Sequence, residues 1–231
     1  KNPIKLKMSL KFWYDPISQP SRAVKFILLK LGIDFDETNV KVVLDTRTED
    51  FKNKVNPRGT VPTVHHDELK LYESATAIRY LLDNFEGDES LLPRSDLRAR
   101  ASVDYWLDWN NTTGRPGLEI PLLEIKFMPD VFGLPAPTEE RIKELYEKLY
   151  LAIDHIEASL AGKVYLTGDN LSIGDVQVYN ELYESMIVLE YGLDKYPNTK
   201  AWVDRIAEDD TIKILNAEFF VRLEDFKPKT K

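Results

Sequence analysis

Three short polar stretches contain residues that could bind a small charged molecule. The first, "SQPSR", begins at Ser18 and joins an alternating apolar strand to a helix pattern. Serine at such a joint often caps the helix, because its hydroxyl accepts a hydrogen bond from an orphan backbone N–H. Ser21 is also available as the cap, which would leave the Ser18 hydroxyl facing solvent beside the positive end of the helix dipole. Both readings of Ser18, as a cap or as a binding hydroxyl, stay open at this point.

The second stretch, "NPRGTVPTV", spans residues 56–64 and places a proline inside a strand-like run. Because proline lacks the N–H that a sheet requires, Pro62 indicates a strand start, an edge or a cis bond in a turn. With a cis bond, the N–H and C=O groups of Val61 could point outward. They could then pair with an extended peptide as an added strand would.

The third stretch, "YESATAI", spans residues 72–78, and Ser74 is a candidate helix cap there. The N–H groups of such a turn, together with the hydroxyl, could hold a carboxylate. Glu73, just before it, could accept a hydrogen bond from an ammonium group. The alternative is an ordinary capped helix with a solvated glutamate. Taken together, the three stretches suit a small zwitterionic peptide.

Strand and helix patterns alternate in the first part of the chain and predict the order βαβαββα. The hydrophobic periodicity changes from two, typical of strands, to that of an amphipathic helix, with Gly32 ending the first helix. A tight turn at Asp67-Glu68 joins the last two strands. The predicted strands are residues 10–14, 35–43, 61–67 and 69–73, and the predicted helices are 21–31, 48–54 and one that starts at Ser74 and includes Phe85.

The second part of the chain shows helical patterns and no strand pattern of comparable quality. Residues 87–95 are acidic and contain Gly87 and Pro93, which predicts a linker between domains 1–86 and 96–231. The serine at 95 and Thr138 are predicted helix caps, and the proline-rich residues 116–137 are predicted to be irregular. The "LSIGDV" stretch predicts a capping box between Ser172 and Asp175.

Composition narrows the possible functions. A net charge of −8 and a pI of about 5.1 argue against nucleic acid and against an anionic membrane surface. The chain has no cysteine, which excludes disulfides and an enzyme thiol nucleophile. His65 and His66 point to opposite faces of a strand, so we expect no metal site. We expect a cytoplasmic protein, with Met8 as its native start and residues 1–7 as an added segment.

Five stretches, in this order and spacing, carry a resemblance to a known family. They are "YDPISQPSRAV", "NPRGTVPTV", "LYESATAIRYL", "RARASVDYWLDWNNTTGR" and "YLTGDNLSIGDV". The chain after Met8 resembles the cytosolic glutathione transferases, most closely the theta class. The resemblance implies a thioredoxin-like N-terminal domain, an all-α C-terminal domain and a homodimer. It also implies glutathione on the first domain and a pocket for a hydrophobic electrophile between the two domains.

The resemblance assigns roles to individual residues. In the theta pattern the serine of "SQP" donates a hydrogen bond to the glutathione sulfur, so the resemblance implies this role for Ser18. Tyr14 is the rival candidate for that role, and it is also a candidate lining residue of the electrophile pocket. It implies that Val61, beside a cis-Pro62, pairs with the cysteinyl backbone, and that Glu73 and Ser74 hold the γ-glutamyl end. Arg47 and position 60 match the basic groups for the glycine carboxylate, although Thr60 stands where many theta members have lysine. Arg115 matches an arginine beside the electrophile, and the alternative for it is a surface cation at a helix end.

The implied activity is conjugation of glutathione to hydrophobic electrophiles, a detoxification reaction. Reduction of organic hydroperoxides by glutathione is an alternative, because it needs the same thiolate. A non-catalytic ligand-binding protein on the same fold is another, because a fold does not determine a function.

Overall fold

The computed structural model describes residues 10–226. The chain divides into two compact units, the first ending at Gly87 and the second beginning at Asp88. The predicted linker over 87–95 stays a prediction. The expectations for residues 1–8 lie outside the described residues.

The first unit is built on a four-stranded mixed sheet with the strand order β2-β1-β3-β4. The central strand β1 is parallel to β2 and antiparallel to β3, which in turn is antiparallel to β4. The predicted order βαβαββα is confirmed. The elements are β1 (Leu10–Tyr14), α1 (Gln19–Leu31), β2 (Asp36–Asn39), α2 (Glu49–Lys54), β3 (Thr63–His66), β4 (Leu69–Leu71) and α3 (Ser74–Asn84).

The apolar stripe of α1 forms much of the core of this unit. Ala23, Val24, Ile27 and Leu28 are all fully buried, and Gly32 ends the helix in the left-handed conformation with φ of 61°. Both features follow the predicted pattern, because these four positions recur with the helical period. Strand β2 is shorter than predicted. It ends at Asn39, and the chain then turns: the N–H of Val42 donates to the Asp15 carboxylate, and Val43 is in the left-handed conformation with φ of 71°.

The second unit is helical among its described residues, apart from an isolated antiparallel bridge between Tyr165 and Gly168. Its helices are α4 (Leu97–Trp109), α5 (Arg115–Leu122), α6 (Met128–Phe132), α7 (Glu139–Ser159), α8 (Ile173–Leu189), α9 (Pro197–Ala207) and α10 (Asp210–Leu223), with π-helical segments at Asn110–Gly114 and Leu123–Phe127 and a 3₁₀ turn at Glu224–Phe226. None of the helices within residues 10–226 combines the length and the apolar character that crossing a membrane requires.

The prediction of irregular structure over 116–137 is wrong for most of that range, because helix continues to Phe132. Pro116 and Pro129 stand in the first turns of α5 and α6, immediately after the two π-helical segments. A missing N–H is tolerated there, because the regular i→i−4 ladder is already interrupted. Pro121 lies inside α5 and precedes the second π-helical segment by two residues.

Two of the predicted caps of this unit are confirmed and one is wrong. Thr138 caps α7 by accepting from the N–H of Arg141, and Ser172 and Asp175 form the predicted capping box of α8. Helix α4, however, is capped by Asp96 and not by the serine before it. The Asp96 carboxylate accepts hydrogen bonds from two backbone N–H groups of the first turn, at 2.9 and 3.1 Å.

Candidate functional site

Ser18 is the N-cap of α1, and its hydroxyl accepts a hydrogen bond from the N–H of Ser21 at 3.4 Å. The idea that Ser21 replaces it as the cap is therefore wrong: the Ser21 hydroxyl is buried and has no hydrogen-bond partner among residues 10–226. A hydroxyl has one proton to donate and two lone pairs to accept with. Capping therefore uses an acceptor position of Ser18 and leaves its proton for a ligand, which reconciles the two readings of this residue.

The turn that presents Ser18 is fixed by two buried charged side chains. The Asp15 carboxylate accepts from the N–H of Ile17 at 3.2 Å and from the N–H of Val42 at 2.9 Å, and its backbone carbonyl accepts from the N–H of Ser18 at 2.9 Å. Arg22 donates from Nη1 to a carbonyl oxygen of the same turn at 2.7 Å. Neither residue is predicted from the sequence as a support of the site. An aspartate directly before a proline, where strand gives way to helix, is the signal that could have indicated the first.

The hydroxyl of Tyr14 is engaged by an ion pair within the first unit. It lies 3.0 Å from Oε1 of Glu37, to which it donates, and it accepts from Nζ of Lys25 at 2.9 Å. Lys25 also bonds Oε2 of Glu37 at 2.9 Å. Because the phenolic proton is directed to a carboxylate, Tyr14 is a poor donor to a sulfur atom in this arrangement.

The loop over residues 56–64 is organised by the buried amide of Asn56. Its Nδ2 lies 2.9 Å from the carbonyl oxygen of Thr60, 3.1 Å from the Thr60 hydroxyl and 3.0 Å from the hydroxyl of Thr63. The Val61–Pro62 peptide bond is cis. The side chain of Thr60 thus turns toward Asn56, and it is half-buried.

Arg47 lies next to this loop. Gly59 has φ of 63°, and a Cβ built there would be 2.6 Å from the carbonyl oxygen of Thr46 and 3.6 Å from Cδ of Arg47. The position therefore requires glycine, both for its backbone conformation and for the close approach of the neighbouring chain. The side chain of Arg47 is exposed and lies beside the loop that contains Thr60.

Glu73 and Ser74 lie at the start of α3, although not with the roles that the pattern predicted. The N-cap position belongs to Glu73, whose side chain makes no capping bond, and Ser74 is the first helical residue and is buried. The Glu73 carboxylate instead forms an ion pair with the guanidinium of Arg58. Arg58 is not predicted from the sequence as a site residue, because no local pattern links a loop cation to a glutamate fifteen residues further on.

Arg115 belongs to the second unit, where it lies between two carboxylates. Its Nη1 is 2.5 Å from Oε1 of the fully buried Glu181, and its Nη2 pairs with Glu119. Burial, with the negative charge of Glu181 adding to it, raises the pKa of Glu119 to about 7 although Arg115 acts in the opposite direction. The alternative of a surface cation at a helix end is wrong, because the side chain of Arg115 is only 26% exposed.

The second unit also contains a cavity of about 350 Å³ with a mainly apolar lining. Its walls come from the end of the α5–α6 region, from the C-terminal end of α8 and from the last described helix and turn. Residues of the proline-rich range 116–137 and of the last described turn both contribute to its walls. The lining residues are Lys126, Phe127, Asp130, Val131, Ile187, Val188, Glu190, Phe220, Leu223, Glu224 and Phe226.

The two adjacent histidines bond to separate partners. Nε2 of His65 is 2.9 Å from the carbonyl oxygen of Val55, and Nδ1 of His66 is 2.6 Å from the hydroxyl of Tyr80. Burial lowers the pKa of His65. Within residues 10–226, no group of three histidine, aspartate or glutamate side chains is arranged to hold a metal ion.

A thioredoxin-like unit with a cis-proline loop, followed by a helical unit with a buried capping box, defines the glutathione transferase fold. Comparison with known proteins agrees with this class. The family described as glutathione S-transferase, N-terminal domain, matches residues 13–89, and the family described as glutathione S-transferase, C-terminal domain, matches residues 120–210.

Individual relatives give the same result. Glutathione S-transferase F9 of Arabidopsis thaliana is 30% identical over 87% of this chain and 93% of the relative. Mouse glutathione S-transferase theta-2 is 28% identical over 86% of this chain and 81% of the relative. The chain belongs to the glutathione S-transferase family, and it is a glutathione transferase.

Solved structures of human theta-class proteins have the same fold. The apo form of human glutathione S-transferase T1-1 has a TM-score of 0.86 at 27% identity, and the match covers 95% of this chain and 92% of the human chain. Human glutathione transferase theta-2, in complex with glutathione and an unknown ligand, has a TM-score of 0.85 at 26% identity, and the match covers 96% of this chain and 91% of the human chain. The predicted family and fold are confirmed, and family membership supports glutathione binding by this chain.

Proposed function

We propose that this enzyme transfers glutathione to hydrophobic electrophiles, with the Ser18 hydroxyl as the donor that favours the glutathione thiolate. The observation that carries the proposal is the geometry of Ser18, whose oxygen caps α1 while its proton remains to donate. The rival hydroxyl of Tyr14 donates to Glu37 instead. The positive end of the α1 dipole adds to the stabilisation of an anion at this position.

One hydrogen bond is strong enough for this role. A free thiol titrates near pH ~8.5, and each unit by which its pKa falls corresponds to about 1.4 kcal/mol of preference for the thiolate. A hydrogen bond to a charged group contributes roughly 1.5–3 kcal/mol. Ser18 can thus lower the pKa of the glutathione thiol by about one to two units.

The other predicted residues of the first unit divide glutathione between them in this proposal. Val61, beside the cis-proline, pairs with the cysteinyl backbone. Glu73 and Ser74 hold the γ-glutamyl end, and Arg47, beside the Gly59 turn, supplies a positive charge for the glycine carboxylate. In the second unit Arg115 is the residue proposed to act on the electrophile.

Titration of bound glutathione in Ser18 variants tests the proposal. In Ser18→Ala we expect the thiol pKa, followed by the ultraviolet absorbance of the thiolate, to rise by about one to two units. Ser18→Thr keeps a hydroxyl and should retain most of the effect. An unchanged pKa in Ser18→Ala would assign thiolate stabilisation to another group.

The remaining features of the proposal are a homodimer, a cytoplasmic location and a role in detoxification. A panel of electrophiles and cumene hydroperoxide, each assayed with glutathione, separates conjugation from peroxide reduction. Glutathione binding without turnover of any member would favour the non-catalytic alternative.

A further inference from the structure

The ion pair between Arg58 and Glu73 connects the two stretches of the first unit that the proposed function assigns to glutathione. Arg58 lies in the loop that carries Val61, and its backbone N–H donates to Oδ1 of the buried Asn56 at 2.9 Å. Glu73 directly precedes α3. Both side chains of the pair are 62% exposed, so a ligand in solution can reach them.

The Arg58–Glu73 ion pair contributes little to the stability of the fold. An exposed ion pair is worth only about 0–1 kcal/mol, because solvent screens the charges and two long side chains lose freedom. The pair nevertheless fixes a positive and a negative group side by side. It uses Nη1 of the guanidinium and Oε1 of the carboxylate, whereas a guanidinium carries five N–H donors and a carboxylate has two oxygens.

The γ-glutamyl end of glutathione has the complementary arrangement. It carries an ammonium and a carboxylate on one carbon atom, so it presents two opposite charges side by side. Placed against the pair, its ammonium would meet Glu73 and its carboxylate would meet Arg58. Each charge would then have an opposite neighbour, and a guanidinium can bind a carboxylate through two parallel hydrogen bonds.

We propose that Arg58 and Glu73 together bind the amino-acid end of glutathione, with Glu73 accepting from the ammonium and Arg58 donating to the α-carboxylate. This proposal rests on the proposed function and adds Arg58 as a binding and specificity residue. It also specifies the substrate: the thiol must carry both charges of an unmodified γ-glutamyl group to bind with full affinity.

Calorimetric titration with three thiols tests the proposal. The first is glutathione, the second is γ-aminobutyryl-cysteinylglycine, which lacks the α-carboxylate, and the third is glutaryl-cysteinylglycine, which lacks the ammonium. The variants are Arg58→Gln and Glu73→Gln, which each remove one charge of the pair. Lys54→Gln is the matched control, because it removes a cation from another exposed ion pair of the same unit, with Asp50, whose side chains are 72% exposed.

The two variants should respond to different ligands. Arg58→Gln should weaken glutathione and the glutaryl analogue by roughly threefold to tenfold, within the range of a partly exposed charged hydrogen bond, and leave the γ-aminobutyryl analogue at least as tightly bound. Glu73→Gln should weaken glutathione and the γ-aminobutyryl analogue and spare the glutaryl analogue. Lys54→Gln should bind all three like the wild type.

Two results would overturn the proposal while the proposed function stands. One is unchanged or tighter binding of glutathione to Arg58→Gln, which would mean that Arg58 competes with the ammonium for Glu73. The other is an equal loss for all three thiols, which would mean that the pair only supports the loop. A wild-type protein that does not bind glutathione would refute both proposals.

Discussion

Replacing Asp175 with alanine should destabilise the second unit far more than the loss of an ordinary helix cap. The carboxylate is fully buried and receives four hydrogen bonds. Oδ1 accepts from the N–H of Leu166 at 2.7 Å and from Nε1 of Trp202 at 2.9 Å, and Oδ2 accepts from the N–H of Ser172 at 3.0 Å and from its hydroxyl at 2.6 Å. One side chain therefore joins the start of α8 to the preceding loop and to α9.

The magnitude follows from the donors that the substitution would leave without an acceptor. A lost cap costs about 0.5–2 kcal/mol, but each buried unsatisfied donor adds about 1–3 kcal/mol, less whatever relaxation or water recovers. Burial raises the pKa of Asp175, against which the four hydrogen bonds act. Because four buried donors lose their acceptor at once, the loss should exceed that of a single cap even after partial recovery by relaxation or water, and we expect about 3–5 kcal/mol.

Equilibrium unfolding in urea, followed by circular dichroism, measures the effect. With a slope of about 2 kcal/mol per molar urea, a loss of about 4 kcal/mol lowers the midpoint by about 2 M. Thr138→Ala is the control: that cap is exposed and accepts one hydrogen bond, from the N–H of Arg141 at 3.2 Å, so it should cost about 1 kcal/mol. An Asp175→Ala protein as stable as Thr138→Ala would refute the reasoning, because the buried network would then add nothing to a simple cap.

Two further predictions concern charge. Thr60→Lys should tighten glutathione binding by less than tenfold in calorimetric titration, because an exposed ion pair is worth about 0–1 kcal/mol, and added salt should reduce the gain. The loop should keep its conformation, because Asn56 retains two other acceptors, the carbonyl oxygen of residue 60 and the hydroxyl of Thr63. Weaker binding or a salt-independent gain would contradict the prediction. The pKa of Glu119 is raised to about 7 in the folded protein, above an unfolded value of about 4.3. The contribution of Glu119 to the free energy of unfolding is therefore most favourable at low pH, and it declines by up to about 3 kcal/mol as the pH rises from about 4 to 7. Urea midpoints of the wild type and Glu119→Gln at about pH 5 and pH 8 should show a smaller decline in the variant, and equal declines would contradict this assignment.

The sequence was sufficient for features that depend on local patterns. The helical stripe of α1, the left-handed Gly32 and the capping box of α8 each reflect residues within about one or two helical turns of one another, where spacing alone determines which groups meet. The wrong prediction for the proline-rich region also comes from a purely local rule. A single-residue rule treats proline as a helix breaker, whereas the π-helical segments before Pro116 and Pro129 already interrupt the regular ladder.

Contacts between distant residues could not be predicted in this way. The partners of Tyr14 are Lys25, eleven residues on, and Glu37, on the neighbouring strand, and only the parallel pairing of β1 with β2 brings that strand alongside. Arg115 is similar: its partner Glu181 is sixty-six residues away on α8. Such pairs depend on tertiary packing, so a pattern can suggest that a residue matters without showing which group it meets.

The charge of the loop over residues 56–64 shows how one difference from the family pattern can be understood only with the structure. Many theta members have a lysine where this chain has Thr60, and the loop's one charged residue is Arg58, two positions earlier. The structure directs that charge to Glu73, which we propose binds the γ-glutamyl end, whereas the family's lysine serves the glycine end. On this arrangement the loop keeps a positive charge for glutathione but applies it to the opposite end of the peptide. Arg58→Gln should weaken glutathione binding and Thr60→Lys should strengthen it, because the two changes concern carboxylates at opposite ends of the ligand. Both residues hydrogen-bond to Asn56, so the double variant measures how far the two effects are coupled.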